Sequence, residues 1–342
     1  MENISFKSFV VEETENSVLT RQIKSKTIDD LPDGDVLIKV SYSALNYKDA
    51  LSASGHKGIT RKFPHTPGID ASGIVAESNN PKFKKGEEVL VTGYDLGMNT
   101  SGGFQEYIRV PSEWVVKLPT NMTLREAMIY GTAGFTAGIC INELQKHNVL
   151  PETGNVLVTG ATGAVGSLAV GMLAKAGYEV TASTGKADKS DFLKQLGAKE
   201  IIPRQDLHDT SNRPLLSGKW NGAIDTVGGN TLSTVIKSTK PRGSVCVLGL
   251  VESDKLETTV YPFLLRGINL IGIDSAERPM DYRLNIWKRI SEEWKLDNPE
   301  FLVKEITLDE LDKEIEIILK GGQVGKVLVN IGMDYLQNNQ NV

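Results

Sequence analysis

Cysteine is nearly missing from this chain. The two that occur, Cys140 and Cys246, are too few for a disulfide framework or a cysteine-rich zinc lobe. Both sit in apolar stretches, GICI and SVCVLGL, and read as packed core thiols. Long apolar runs are missing too: nothing approaches the roughly 20 residues that a membrane-spanning helix needs. The N-terminal MENISFKSFVVEETENS carries charges where a signal peptide would be continuously apolar. Positive charge is not in excess either, since 38 Lys and Arg face 43 Asp and Glu for a formal net charge of -5. No global field therefore draws in nucleic acid or anionic lipid, and any anion must be bound by a local site. Four histidines, His56, His65, His147 and His208, are too scattered to make a metal site by spacing. These absences lead to the expectation of a soluble protein of a reducing compartment, most simply the cytoplasm, with no nucleic-acid and no membrane partner.

What is present is enough for two domains, at 342 residues and roughly 100 to 200 residues per domain. Apolar residues make up 40% and charged residues 24%, the balance of a chain with a sizeable core. From Ser5 to Val115 the pattern is short apolar or alternating runs (SFVVEE, VLIKVSYSAL, ASGIVAES, EVLVTGY, FQEYIRV, WVVKL) broken by turn signals. That spacing predicts a β-barrel-like domain, with one helical stretch near Asn46. From Met128 helical periodicity sets in, and strand, Gly-rich turn and helix then alternate. NVLVT, EVTAST, EIIPR, GAIDTVGG, SVCVLGL and NLIGIDS give six strands joined by helical crossovers, as in a doubly wound parallel sheet. The more charged tail after Ser275 is expected to return to the first domain. Residues 1–128 with 276–342 then form one domain and residues 129–275 the other. The final QNNQNV lacks apolar content and is expected to fray.

The sharpest local signal is NVLVTGATGAVGSLAVGMLAKAG. Ala161, Gly163 and Gly166 occupy the three positions of a dinucleotide fingerprint, with Gly160 just before them. An apolar strand precedes this turn and a helix of small residues follows. Missing side chains let the backbone approach a pyrophosphate, and the helix N-terminus offers free N–H donors to it. At the end of the next strand, where an acid would bind the ribose 2'-hydroxyl of NAD, stand Ser183, Thr184, Gly185 and Lys186. Asp188 lies too far into the following helix for that role. Small hydroxyls with a cation suit a 2'-phosphate, and Arg204 at the end of the third strand lies on the same side. NADP(H) is therefore the expected cofactor.

Several dense motifs run in order along the chain: SALNYKDALSASG, FPHTPGIDASGIV, MIYGTAGFTAG, VTGATGAVG, GAIDTVGG and TTVYPFLLRG. Together they resemble the medium-chain dehydrogenase/reductase superfamily and, within it, the zinc-independent quinone oxidoreductase-like enzymes of the NADPH-dependent acryloyl-CoA reductase branch. The resemblance implies an α/β protein: a GroES-like β-barrel-type catalytic domain plus a Rossmann nucleotide-binding domain with a doubly wound parallel sheet. The positions matching the zinc ligands of the superfamily's alcohol dehydrogenases are Asn46, Ile69 and Thr132, a poor ligand set, so no metal is expected.

The resemblance also implies roles for individual residues. Tyr47 would line the nicotinamide and substrate cleft, either giving a proton to the developing enolate or its water, or packing on the cofactor with no proton role. Asn46 and Asp49 would shape that loop. Thr132 and Thr136 match positions near the nicotinamide ribose and diphosphate. Thr162, Gly163, Ala164, Val165 and Gly166 match the pyrophosphate turn, and Thr184, Gly185, Lys186 and Arg204 the 2'-phosphate pocket. Leu250 and Ser275 match strand ends beside the nicotinamide. Lys57, Arg61 and Lys62 form a basic loop that would meet coenzyme A phosphates or be a solvated turn. The implied reaction is hydride addition to the β-carbon of an α,β-unsaturated carbonyl compound, with acryloyl-CoA the preferred small-molecule substrate. Quinone or enone reduction, or NADPH binding without turnover, are the alternatives. NLIGIDS would form an apolar sheet edge that a homodimer covers.

Overall fold

The computed structural model describes residues 4–16 and 18–332. The expected fraying of QNNQNV lies outside them. In chain order the elements are β1 (Ser5–Glu13), β2 (Leu19–Thr27), β3 (Val36–Leu45), α1 (Tyr47–Ala53), β4 (Asp70–Ser78), β5 (Glu88–Thr92), β6 (Tyr107–Val110), β7 (Val116–Lys117) and α2 (Leu124–Lys146). Then follow β8 (Val156–Val158), α3 (Ala164–Lys175), β9 (Val180–Thr184), α4 (Ser190–Gln195), β10 (Glu200–Pro203), β11 (Trp220–Asp225), α5 (Gly229–Ser238), β12 (Thr239–Val247), α6 (Tyr261–Arg266) and β13 (Asn269–Gly272). The chain continues through α7 (Met280–Ser291), β14 (Val303–Ile306), α8 (Leu311–Leu319) and β15 (Lys326–Asn330). These elements form two compact units: Met1–Thr132 with Ala276–Leu284 and Pro299–Val342, and Ala133–Ser275 with Asn285–Asn298.

In the first unit β3 is the trunk of a seven-stranded sheet. It pairs antiparallel with β4 along one edge, and with β6 over Val36–Lys39 and β15 over Tyr42–Leu45 along the other. Register shifts between Leu37 and Ile38 and between Val40 and Tyr42 bend the strand, which is how one strand serves three partners. Inside lie Ile38, Leu45, Val89, Phe104 and Ile108, all essentially inaccessible, with Phe9 edge-on to Phe104. The hairpin strand β2 carries polar residues in alternation (LTRQIKSKT), a pattern that the apolar-run reading passed over.

In the second unit six parallel strands run in the order β10-β9-β8-β11-β12-β13. The order reverses direction at β8, so the loops leaving β8 and β11 diverge at the carboxyl edge of the sheet and open a crevice there. This is the doubly wound α/β fold expected from the strand and helix alternation. The strands read as continuous apolar runs because helices cover both faces. Cys140 and Cys246 are both buried in this core and unpaired.

The tail divides differently from the expectation that it all joins the first domain. Residues Asn285–Asn298 group with the second unit. Ile286, Trp287, Ile290 and Trp294 present an apolar stripe with no more than 1% exposure. Trp287 stacks on Phe135 at 6.0 Å between ring centres, and Arg289 donates to Asn142 Oδ1 at 2.8 Å. Burial of two tryptophans outweighs the charged, surface-like look of the sequence around them.

Phe104 is the most completely enclosed ring of the first unit, so Phe104→Ala is expected to cost about 3–5 kcal/mol through lost burial and the cavity left behind. Urea unfolding checks this, and a loss below about 1 kcal/mol would show that the sheet does not depend on this core.

Candidate active site

The Gly-rich turn of the second unit is shaped by backbone geometry. Gly160 has φ +58°, and a Cβ there would fall 2.2 Å from Thr226 Oγ1. The left-handed residue is thus one place before the first fingerprint position, which explains how Ala161 fits there: it is fully buried, and its N–H donates to Ser183 O at 3.0 Å. A Cβ on Gly166 would meet Gly160 O at 2.3 Å, so α3 packs directly against the turn. Gly163 is the N-cap of α3, makes no side-chain cap, and no acid occupies the first turn. Ala164, Val165 and Gly166 therefore begin a helix whose N-terminal donors and positive dipole end are suited to an anion.

Beside this turn the ends of β9 and β10 come together. Thr162 Oγ1 and Thr184 Oγ1 are 3.2 Å apart, and the Lys186 N–H donates to Thr184 Oγ1 at 3.0 Å. A Cβ on Gly185 would lie 3.2 Å from the Arg204 guanidinium carbon, so the guanidinium packs directly against the backbone at Gly185. Lys186 is held below the usual lysine range by partial burial, and the nearby Lys189 and Arg204 cations add to this. Asp188, the nearest acid, is turned to Lys189 at 2.8 Å. Lys186, Arg204 and two threonines thus gather at these strand ends, with Asp188 acting on Lys186 in the opposite sense to the other cations. Leu250 and Ser275 each lie three residues beyond the ends of β12 and β13 at the same carboxyl edge. Leu250 is 64% exposed. Thr136 is buried within α2.

Sequence reasoning missed the carboxylate that braces this turn. Asp225, at the end of β11, is fully buried. It accepts from Thr159 Oγ1 and from the Gly228 N–H, both at 2.7 Å. Thr226 Oγ1 in turn donates to Thr159 O at 2.9 Å. Burial pushes Asp225 up to about 6 against the pull of these donors. The only signal in the sequence was an acid ending the apolar run GAID.

The first unit holds a second buried polar cluster. Asp70 Oδ1 accepts from Thr132 Oγ1 at 2.6 Å and from the Thr132 N–H at 2.9 Å, and its Oδ2 accepts from Asn46 Nδ2 at 2.8 Å. The Lys326 ammonium lies 3.7 Å from Asp70 Oδ2 and donates to Asn46 Oδ1 at 3.0 Å. Asp70 and Lys326 are both 0% exposed. Asp49 accepts from the Asn46 and Ile69 N–H groups at 2.8 Å and the Gly68 N–H at 3.2 Å. It shapes the loop, as expected. Gly131 takes φ +49° and ψ -151°, breaking α2, and a Cβ there would fall 2.5 Å from Asp70 Oδ2. That break frees the Thr132 N–H for Asp70. Asp70 and Lys326 were not singled out from sequence, although each is a lone charge beside an apolar run, in PGIDASG and VGKVLVN.

Tyr47, the first residue of α1, is 48% exposed. Lys57, Arg61 and Lys62 are all exposed, and Lys57 reaches only Glu13 at 3.9 Å and the Phe63 ring. No helix among the described residues is long and apolar enough to cross a membrane.

Comparison with known proteins places this arrangement. A family model described as "Alcohol dehydrogenase GroES-like domain" matches residues 32–120, and one described as "Zinc-binding dehydrogenase" matches residues 164–292. The chain belongs to the medium-chain dehydrogenase/reductase superfamily of oxidoreductases. It is 46% identical to the putative quinone oxidoreductase YhfP of Bacillus subtilis over 90% of this chain and 94% of that protein. The YhfP structure, with NAD bound, has a TM-score of 0.93 at 44% identity over 96% of this chain and 99% of that one. The acrylyl-CoA reductase AcuI of Ruegeria pomeroyi is 42% identical over 95% of this chain and 99% of its own length. The yhdH oxidoreductase of Salmonella enterica, in complex with NADP, has a TM-score of 0.91 at 40% identity, covering 95% of this chain and 99% of that chain.

The second family description raises the question of zinc, and the residues do not fit it. Ile69 has no donor atom, the Asn46 amide oxygen accepts from an ammonium, and the Thr132 hydroxyl donates to Asp70. Among the described residues no group of three or more His, Cys, Asp and Glu could hold a metal ion.

Burial, with the neighbouring Asp70 charge, pushes Asp49 from 3.8 up to about 7. A carboxyl raised on folding contributes stability that is complete below the unfolded pKa and is lost as pH rises through the folded one. The loss therefore falls between about pH 4 and pH 7. Asp49→Asn is expected to flatten the fall in unfolding free energy across that window, measured by urea titration at pH 5 and at pH 7.5. Equal pH slopes for the two proteins would mean that Asp49 is not raised.

Proposed function

We propose that the protein is an NADPH-dependent, zinc-independent reductase of the activated C=C bond of an α,β-unsaturated thioester, acryloyl-CoA giving propanoyl-CoA. The observation that carries the reading is the pairing of the Thr184–Arg204 pocket with a full-length likeness to an acrylyl-CoA reductase. When bound, NADPH would supply the hydride for the β-carbon of the substrate. The turn Thr162–Gly166 receives the pyrophosphate on backbone N–H donors, with Gly163 and Gly166 leaving room for its approach. Thr184, Gly185, Lys186 and Arg204 receive the 2'-phosphate, Thr132 and Thr136 are assigned to the nicotinamide ribose and diphosphate, and Leu250 and Ser275 to the nicotinamide. Tyr47 is the assigned group for the enolate, protonating the α-carbon directly or through water and stabilising the oxyanion by a hydrogen bond. Lys57, Arg61 and Lys62 are assigned to the coenzyme A phosphates. With buried unpaired thiols and no membrane-spanning helix among the described residues, we assign the enzyme to the cytoplasm.

The test sets initial rates of NADPH oxidation with acryloyl-CoA beside those with a simple quinone, with NADH as control and after dialysis against a chelator. A higher kcat/KM for the thioester, unchanged by the chelator, is expected. A preference for quinone would reassign the substrate to the activity in the name of YhfP. Arg204→Ala should raise the KM for NADPH about tenfold to a hundredfold, as the loss of charge-assisted bonds to a phosphate does. Its KM for NADH should stay unchanged. Equal effects on both cofactors would remove Arg204 from the 2'-phosphate.

We also infer a homodimer. Strand β13 ends the parallel sheet, and nearby Val251, Val260, Leu264 and Leu265 are each more than 60% exposed. An apolar surface beside an open strand edge fits a second copy related by a two-fold axis. Sedimentation of the wild type as a dimer and of Leu264→Glu/Leu265→Glu as a monomer is expected. A monomeric wild type at micromolar concentration would refute it.

A further inference from the structure

Of the three positions that match the superfamily's catalytic zinc ligands, two, Asn46 and Thr132, are bound to a single buried carboxylate, Asp70. The charge facing that carboxylate is the Lys326 ammonium. Lys326 opens β15, whose burial is otherwise that of an apolar core strand. A side chain that only filled this space would be cheaper without a charge, because a fully buried ammonium is costly unless its bonds are good. What the ammonium gains beyond Asp70 is one directed hydrogen bond, to Asn46 Oδ1 at 3.0 Å.

That bond reaches the start of α1. The Asn46 amide nitrogen donates to Ala44 O at 3.1 Å and to Asp70 Oδ2 at 2.8 Å, so the amide is held on both sides. The Asn46 backbone is equally fixed. Its N–H donates to Asp49 Oδ2 at 2.8 Å, and its carbonyl accepts from the Asp49 N–H at 3.0 Å and the Ala50 N–H at 3.3 Å. Asn46 is the extended N-cap of a helix of only 7 residues, too short to hold its own direction without anchors. The next residue is Tyr47.

We propose that Lys326 is a positioning residue: its buried ammonium, bonded to the Asn46 side chain, fixes the N-cap of α1 and with it the placement of the Tyr47 side chain. In this chain a lysine cation organises the loop where metal enzymes of the superfamily use zinc. The proposal rests on the assignment of Tyr47 to the substrate.

The test uses the whole enzyme with Lys326→Met, Lys326→Arg and Asn46→Ala, each alone and combined with Tyr47→Phe. A parallel set carries 3-fluorotyrosine at position 47 for fluorine NMR. Lys326→Met and Asn46→Ala are expected to lower kcat by up to about 100-fold, the scale of a misplaced active-site group. The KM for NADPH should stay within about twofold, and neither change should reduce kcat further in Tyr47→Phe. Lys326→Arg should restore most of the rate. The fluorine resonance should shift or broaden in Lys326→Met and Asn46→Ala but not in Lys326→Arg. Asn46→Ala keeps both buried charges and so covers the case in which Lys326→Met does not fold. An unmoved resonance, or losses that multiply with Tyr47→Phe, would overturn the positioning role. A moved resonance with full activity in Tyr47→Phe would keep it and remove Tyr47 from the chemistry instead.

Discussion

A carboxylate taken wholly out of water must gather every donor within reach, and Asp70 does so. It binds the Thr132 N–H and hydroxyl, the Asn46 amide and, more loosely, the Lys326 ammonium. Those donors come from α2, from the loop before α1 and from the first residue of β15, which are far apart in sequence. The requirement also reaches into the backbone: at Gly131, where α2 breaks, the carboxylate occupies the space a side chain would take. Asp49, one shell away, then cannot easily carry a second negative charge, and burial with the Asp70 field raises it to about 7.

The second unit follows a comparable rule with a different partner. Asp225 is buried at the end of β11 and satisfied by Thr159 and two backbone N–H groups. These bonds tie the Gly-rich turn to the neighbouring strand, so the donors at the start of α3 are held in place before any anion arrives. Pre-set dipoles of this kind need no reorganisation when the charge binds. Lys186 and Arg204 add formal positive charge around Thr184, and Asp188, paired with Lys189, also acts on Lys186.

At Asn46 and Thr132 the start of α1 and the break in α2 are held by a salt-bridged, hydrogen-bonded network, and the proposed hydride acceptor, whose developing charge rests on a carbonyl oxygen, needs no metal to polarise it. An ammonium donates directed hydrogen bonds but offers no open coordination position to a substrate oxygen. The ligand positions and the proposed chemistry are consistent in that respect.

The sequence by itself pointed to a β-rich first unit followed by a parallel α/β unit. Apolar runs with turn signals gave β3, β4 and β5, the strand and helix alternation gave the six parallel strands, and the turn from Thr159 to Gly166 pointed to a dinucleotide, because period and glycine spacing are local properties. The poor zinc-ligand set at Asn46, Ile69 and Thr132 was legible only once the resemblance to the superfamily had assigned those positions, after which residue identity was enough. Only the tertiary structure decided that Gly160 rather than Ala161 makes the left-handed turn, at a point where Thr226 leaves no room for a side chain. It likewise decided that Asn285–Asn298 packs with the second unit, through tryptophans whose burial no charge pattern reveals. Asp70, Asp225 and Lys326 stayed hidden for the same reason: a lone charge beside an apolar run reads as the end of a strand until the fold supplies its partner. For Lys326 that partner is Asn46, which lies 280 residues earlier in the chain.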